Sequence, residues 1–166
     1  MIIEIEDPQN YLTSDNICFL HNCASMAQTI EGINKPLSVF LRITNDCEIQ
    51  RINREYRNID RSTDVLSFPL LKYPFGKTAG QVAELFDEVY DPDISAYMLG
   101  DIIISVDHVK LQAKEFGHSE LRECCFLFTH ALFHLLGYDH IEANDRTRMR
   151  YQEDRTMELV GLRRDG

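Results

Sequence analysis

Three histidines, His130, His134 and His140, fall within eleven residues, and Gly137 stands between the second and the third. This spacing constrains the chain more than any other feature. A helix advances about 100° and 1.5 Å per residue, so side chains four apart share a face one turn apart. His130 and His134 can then aim their imidazoles at a common point. Gly137 stands where such a helix would stop, since glycine takes the left-handed C′ conformation without a Cβ penalty. The chain can then reverse and bring His140 back to the first two. Three imidazoles at about 2.0–2.1 Å leave a fourth tetrahedral position open, the mark of a catalytic zinc site. The metal ligands expected from the spacing are His130, His134 and His140, and the expected cofactor is one divalent ion, Zn2+ before others.

A plain amphipathic helix whose histidines are satisfied by ordinary hydrogen bonds is the competing reading. Three histidines with a glycine at the turn favour metal over it. The spacing equals that of the metzincin proteases, so a metzincin-like metal helix is expected. Those proteases place a glutamate directly after the first histidine as general base. Here that position is Ala131, whose methyl group cannot take a proton. A metallopeptidase is therefore the alternative that keeps the ligands and lacks the base.

The chain has 166 residues, 44% apolar and 27% charged, which suits a soluble globular protein and predicts one domain over 1–166. No apolar run is long enough to span a membrane. Residues 1–7 carry no basic segment and acids too early for an export signal. The five cysteines (Cys18, Cys23, Cys47, Cys124, Cys125) are odd in number and show no paired zinc spacing. They read as buried thiols of a cytoplasmic protein rather than a disulfide framework. A net charge of −10 argues against a broad nucleic-acid surface. Glu84, Asp87, Glu88, Asp91 and Asp93 concentrate the acid, whereas Arg51, Arg54, Arg57 and Arg61 share one segment. A nucleic acid should approach the second.

Strands are expected at 2–5, 37–43, 62–68 and 99–105, the last apolar enough to be central. Helices are expected from Thr13 or Ser14 to about 31, after a cap at Thr44, Asn45 or Asp46, from an Asp107 cap to about 116, from Ser119 through His134, and over 142–160. Residues 72–98, broken by Pro74, Gly76, Gly80 and Pro92, read as an irregular, solvated acidic insertion with a short helix near 81–86. The fold class is α+β: a single layer of about four mixed strands packed with about five helices.

Further chemical candidates are few. Arg57 offers a planar fork suited to phosphate oxygens, or it is a surface arginine paired with Glu55 or Asp60. Asp139, next to His140, could orient a histidine, cap the turn or take a proton. Asp101 would be costly if buried and unpaired, and a structural hydrogen bond is its expected use. Asp64 and Ser67 line a cleft or a solvated strand face. His21, His108 and His118 read as ordinary packing or surface residues.

Three segments together resemble the YbeY-type metal-dependent endoribonucleases, bacterial rRNA maturation factors. They are 53–57 followed by Asp60 and 63–69, the Gly100-Asp101-Ile102 strand of 99–104, and the histidine signature ending Gly137-Tyr138-Asp139-His140. Two departures are Ala131, where the family has glycine, and a longer, more acidic 72–98. The resemblance implies single-strand-specific cleavage of RNA, near the 3′ end of the small-subunit rRNA, with roles in rRNA maturation and ribosome quality control. It implies a zinc-like metal on His130, His134 and His140, and Arg57 as the functional arginine. Catalytic candidates are thus Arg57 and Asp139. Expected partners are single-stranded or ribosomal RNA, with ribosomal proteins or a ribosome-associated GTPase beside it. A non-catalytic assembly factor with a structural metal remains the third reading.

Overall fold

The computed structural model describes residues 1–139 and 143–163. Five strands form one mixed sheet: β1 (Ile2–Glu6), β2 (Leu37–Thr44), β3 (Val65–Pro69), β4 (Tyr90–Asp91) and β5 (Ala96–Ser105). Among the described residues five α-helices accompany them: α1 (Ser14–Ile30), α2 (Asp46–Arg57), α3 (Val106–Phe116), α4 (Glu120–Leu135) and α5 (Ala143–Leu159). The strand order is β1-β2-β5-β3, with β4 paired to β5. β1, β2 and β5 run parallel, and β3 and β4 pair with β5 antiparallel. The α+β class with a mixed sheet is therefore observed, and the fifth strand beyond the expected four is the two-residue β4.

Alternation along the strands divides the core. Leu37, Val39, Leu41 and Ile43 of β2, with Ile102 and Ile104 of β5, join the larger apolar cluster beside α1, α3, α4 and α5. Ile103, on the opposite pleat, joins Ile49 and Ile52 of α2 and Leu66 of β3 in a smaller cluster. Period-2 side-chain direction alone requires these to be opposite faces. β5 is thus covered on both sides along residues 102–104, as that apolar stretch predicts.

The helix starts follow short polar caps. Thr13 accepts from Asn16 N–H, Asn45 from Glu48 N–H and Ser119 from Arg122 N–H. α3 differs from expectation. Ser105, not Asp107, caps it, and Asp107 instead accepts from the Asp46 backbone N–H at 2.9 Å, tying α3 to the start of α2.

The segment 72–98 is more than a solvated excursion. Its acids Glu84, Asp87, Glu88 and Asp93 are exposed, but Ala79, Val82 and Phe86 are buried. Two 3-10 helices, Ala79–Gln81 and Ala83–Val89, allow this spacing of inward residues. Phe86 reaches the main core beside Tyr97. Among the described residues no helix is long and apolar enough to cross a membrane.

Candidate active site

α4 is apolar around most of its girth. Its buried residues include Cys124, Leu127, Phe128, Ala131, Leu132 and Leu135. His130 and His134, one turn apart, are half-buried where the helix meets a cleft beside β3. Their Nε2 atoms stand 3.2 Å apart and their rings are nearly perpendicular, at 86°.

The other ring nitrogens fix the tautomers. His130 Nδ1 lies 2.7 Å from the Glu153 Oε1 carboxylate, and His134 Nδ1 lies 3.0 Å from the Tyr138 carbonyl. A carboxylate and a carbonyl only accept, so both Nδ1 atoms carry the hydrogen when the rings are neutral. Each Nε2 is then left with its lone pair, and the two lone pairs face one another. Two nitrogens so placed repel unless a proton or a metal cation lies between or beside them. Ligand atoms of a tetrahedral zinc with bonds of about 2.0–2.1 Å are separated by about 3.3–3.4 Å, close to the distance found.

Glu153 carries much of this arrangement, and sequence reasoning missed it. It sits on α5, is 3% exposed, and also lies near Arg150 at 3.6 Å. A carboxylate this deep needs partners. Thr156, Met149 and Met157 mark the buried stripe of α5 on which it lies, and that spacing was the available signal.

The turn that leaves α4 is clamped by the segment that precedes the acidic stretch. Gly137 has φ of 90°, and a Cβ there would meet the Tyr73 ring at 2.8 Å. Glycine is thus required on two grounds, backbone conformation and close approach. The Tyr73 hydroxyl donates to the Leu135 carbonyl at 2.8 Å, and Ala79 N–H donates to the Leu136 carbonyl at 2.9 Å. Two carbonyls freed by the helix end are so satisfied. Tyr138 donates its hydroxyl to Glu31, the residue that follows α1, at 2.5 Å while its carbonyl faces His134. Burial first, then Glu31, pushes both Tyr73 and Tyr138 well above the ordinary phenol range.

Arg57, the last residue of α2, lines the same cleft as the two histidines, with Asp64 and Ser67; the cleft volume is about 330 Å³. Its guanidinium donates to the Ser67 carbonyl at 2.8 Å and stands over the Phe68 ring at 5.3 Å. The surface-pairing alternative fails on its own partners: Glu55 pairs with Arg51 at 2.6 Å and Asp60 with Arg54 at 3.7 Å. Among the described residues no carboxylate is in ion-pair range of Arg57. Partial desolvation lowers its pKa from the ordinary arginine value; arginine keeps its charge at any working pH. Arg51 and Arg54 are spent on neighbours, and of the four arginines in this segment Arg57 is the one that lines the cleft.

Asp64 holds its place by accepting from Val65 N–H at 2.8 Å and from Gln112 at 3.1 Å. Its presence in the cleft settles the strand-face alternative. Asp101 is exposed on the α2 side of the sheet, and its pKa is raised by desolvation and then by Glu4. His108 pairs with Asp46 at 2.6 Å and His118 with Glu123 at 3.0 Å, away from the cleft. The five cysteines are free thiols, Cys18 and Cys47 exposed and the others buried. Asp139 is exposed and lines a different cavity, with Tyr73, Lys77 and Tyr138. His140, the third expected ligand, lies outside the described residues. Among the described residues no three His, Cys, Asp or Glu side chains gather as a metal site.

Comparisons with known proteins place the chain in one group. The family described as "Endoribonuclease YbeY" matches residues 3–161. An endoribonuclease YbeY of Agathobacter rectalis is 47% identical over 146 residues, covering 85% of this chain and 87% of that protein. Another, of Lachnoclostridium phytofermentans, is 47% identical over 122 residues, with 74% of each covered. One from Clostridium botulinum strain 657 is 43% identical over 136 residues, with 81% of each covered. The solution structure of TM1509 from Thermotoga maritima shares the fold, with a TM-score of 0.62, 24% identity, and coverage of 96% of this chain and 89% of that one. With a family match over nearly its whole length and curated relatives above 40% identity, the chain belongs to the endoribonuclease YbeY family.

Proposed function

We propose that this chain is a metal-dependent endoribonuclease that cuts single-stranded RNA, acting in the cytoplasm near the 3′ end of the small-subunit rRNA, in rRNA maturation and ribosome quality control. The observation that carries the metal is the pair of Nε2 lone pairs 3.2 Å apart, each oriented by an acceptor on its Nδ1. His130, His134 and His140 would hold the ion, and a three-imidazole set with an open position suits Zn2+. A bound divalent ion supplies Lewis acidity toward a phosphoryl oxygen.

The chain's own residues do the rest. Glu153 and the Tyr138 carbonyl hold the two imidazoles in the tautomer that exposes Nε2. Arg57, in ion-pair range of no described carboxylate, grips a phosphate in the cleft and offsets charge that grows on it in the transition state. The Ser67 carbonyl and the Phe68 ring keep that guanidinium facing the histidines. Asp139 is proposed to orient His140 or to receive a proton. A peptidase reading lacks its base, since Ala131 is buried in α4. The acidic stretch within 84–93 would suit a basic ribosomal protein, and a ribosome-associated GTPase is a second proposed partner.

The test is cleavage of a labelled single-stranded RNA and its duplex by untagged protein, with zinc, with chelator, and as His134→Ala. Cutting of the single strand alone, lost both on chelation and in the variant, is expected. Full cutting by His134→Ala contradicts the reading.

A further inference from the structure

We infer that Phe75 is a stacking platform for one base of the RNA strand, with Lys77 and Arg148 placed to take adjacent phosphates; this deepens the nuclease reading above and rests on it. Phe75 is 93% exposed, whereas among the described residues the next most exposed large apolar or aromatic side chain, Tyr56, is 67% exposed. An aromatic ring in that position loses most of its hydrophobic contribution to folding. It is not on a loose loop. Lys77 N–H donates to the Pro74 carbonyl at 3.0 Å, and Gly76 with φ of 70° supplies the left-handed residue that closes this turn. Tyr73 on one side and Ala79 on the other are bonded to the carbonyls of Leu135 and Leu136. The ring is therefore carried at a set position relative to the exit of the histidine helix.

Phe75 lines a cavity of about 190 Å³ with Lys77, Tyr138, Asp139, Asp145 and Arg148. The Arg148 guanidinium lies over the Tyr138 ring at 5.3 Å, and among the described residues neither Arg148 nor Lys77 has a carboxylate in ion-pair range. An exposed ring beside two cations that pair with no described carboxylate is the combination that holds single-stranded nucleic acid without reading its sequence. Asp139 and Asp145 repel phosphate on their own side and can accept from base amines or ribose hydroxyls. Tyr138 links the cavity to the candidate active site, because its carbonyl orients His134.

The test is fluorescence anisotropy of a labelled single-stranded RNA decamer with the full chain, zinc-loaded and, to stop cleavage, after chelation. Wild type is compared with Phe75→Ala and Phe75→Trp, and each protein is also given decamers with a single abasic site moved along the strand. Phe75→Ala should bind on the order of 10-fold more weakly, and Phe75→Trp should match or exceed wild type. One abasic position should weaken wild type and leave Phe75→Ala unchanged. Equal affinity of wild type and Phe75→Ala for every decamer overturns the platform alone, and is the result expected if the ring faces a protein instead. A wild type that binds no RNA and cuts none overturns the platform together with the nuclease reading.

Discussion

Glu153 Oε1 lies 2.7 Å from His130 Nδ1, joining α5 to α4 across 23 positions of sequence. The carboxylate is buried, so its contact orders a ring that would otherwise rotate. Removing it should loosen the metal rather than only the fold. Glu153→Gln keeps the size and can still present an amide oxygen; Glu153→Ala cannot. Zinc affinity measured by chelator competition should fall about 10–100-fold in the alanine variant and less in the glutamine variant. Equal affinity in all three proteins would separate Glu153 from the metal.

Arg57 reaches the cleft while Arg51 and Arg54 are held by neighbouring carboxylates. Arg57→Ala should lower kcat on single-stranded RNA by about 10²–10³-fold, the scale seen on removing one donor aimed at a developing charge. Arg57→Lys should recover only part of this, since an ammonium lacks the planar fork. Arg54→Ala should leave the rate within a few-fold. A rate unchanged in Arg57→Ala would remove the arginine from the chemistry.

Asp101 has its pKa raised by desolvation and by Glu4. Folding therefore disfavours its ionised form. Stability from this group is full below the unfolded-state pKa and is lost as pH rises through the raised folded value. Asp101→Asn should raise Tm at pH 7 and change it little near pH 3. A gain larger at pH 3 than at pH 7 would reverse this assignment.

Cys18 and Cys47 are exposed, whereas Cys23, Cys124 and Cys125 are buried, and burial pushes the Cys124 thiol up to about 12. A thiolate is the reactive form. Titration with an aromatic disulfide should consume two thiols quickly in the native protein and five after denaturation. Five fast thiols in the native state would contradict the packing of α4 against α1.

Local signals carried the helices and the glycine exit. The four-residue histidine spacing, the Ser119 cap and Gly137 act within a few positions of one another, so their geometry follows from the helix itself. The partly alternating strand 37–43 and the largely apolar 99–105 likewise announced how each would be covered. What could not be read was reach. Glu153 looks like any acid on a charged helix until α5 docks, and Tyr73 looks like a loop aromatic until its hydroxyl meets Leu135, 62 positions away. Phe86 was hidden by the acids around it, whose solvation says nothing of the one ring that turns inward. The Asp107 cap failed because Ser105, two residues earlier, already served the same N-terminus.

The central claim is that two oriented imidazoles of α4 hold a metal ion. Equilibrium titration of chelator-stripped, untagged protein with Zn2+ tests it most directly. One tight ion per chain is expected in wild type, and that ion should be lost in His134→Ala. The same stoichiometry and affinity in both proteins would contradict it.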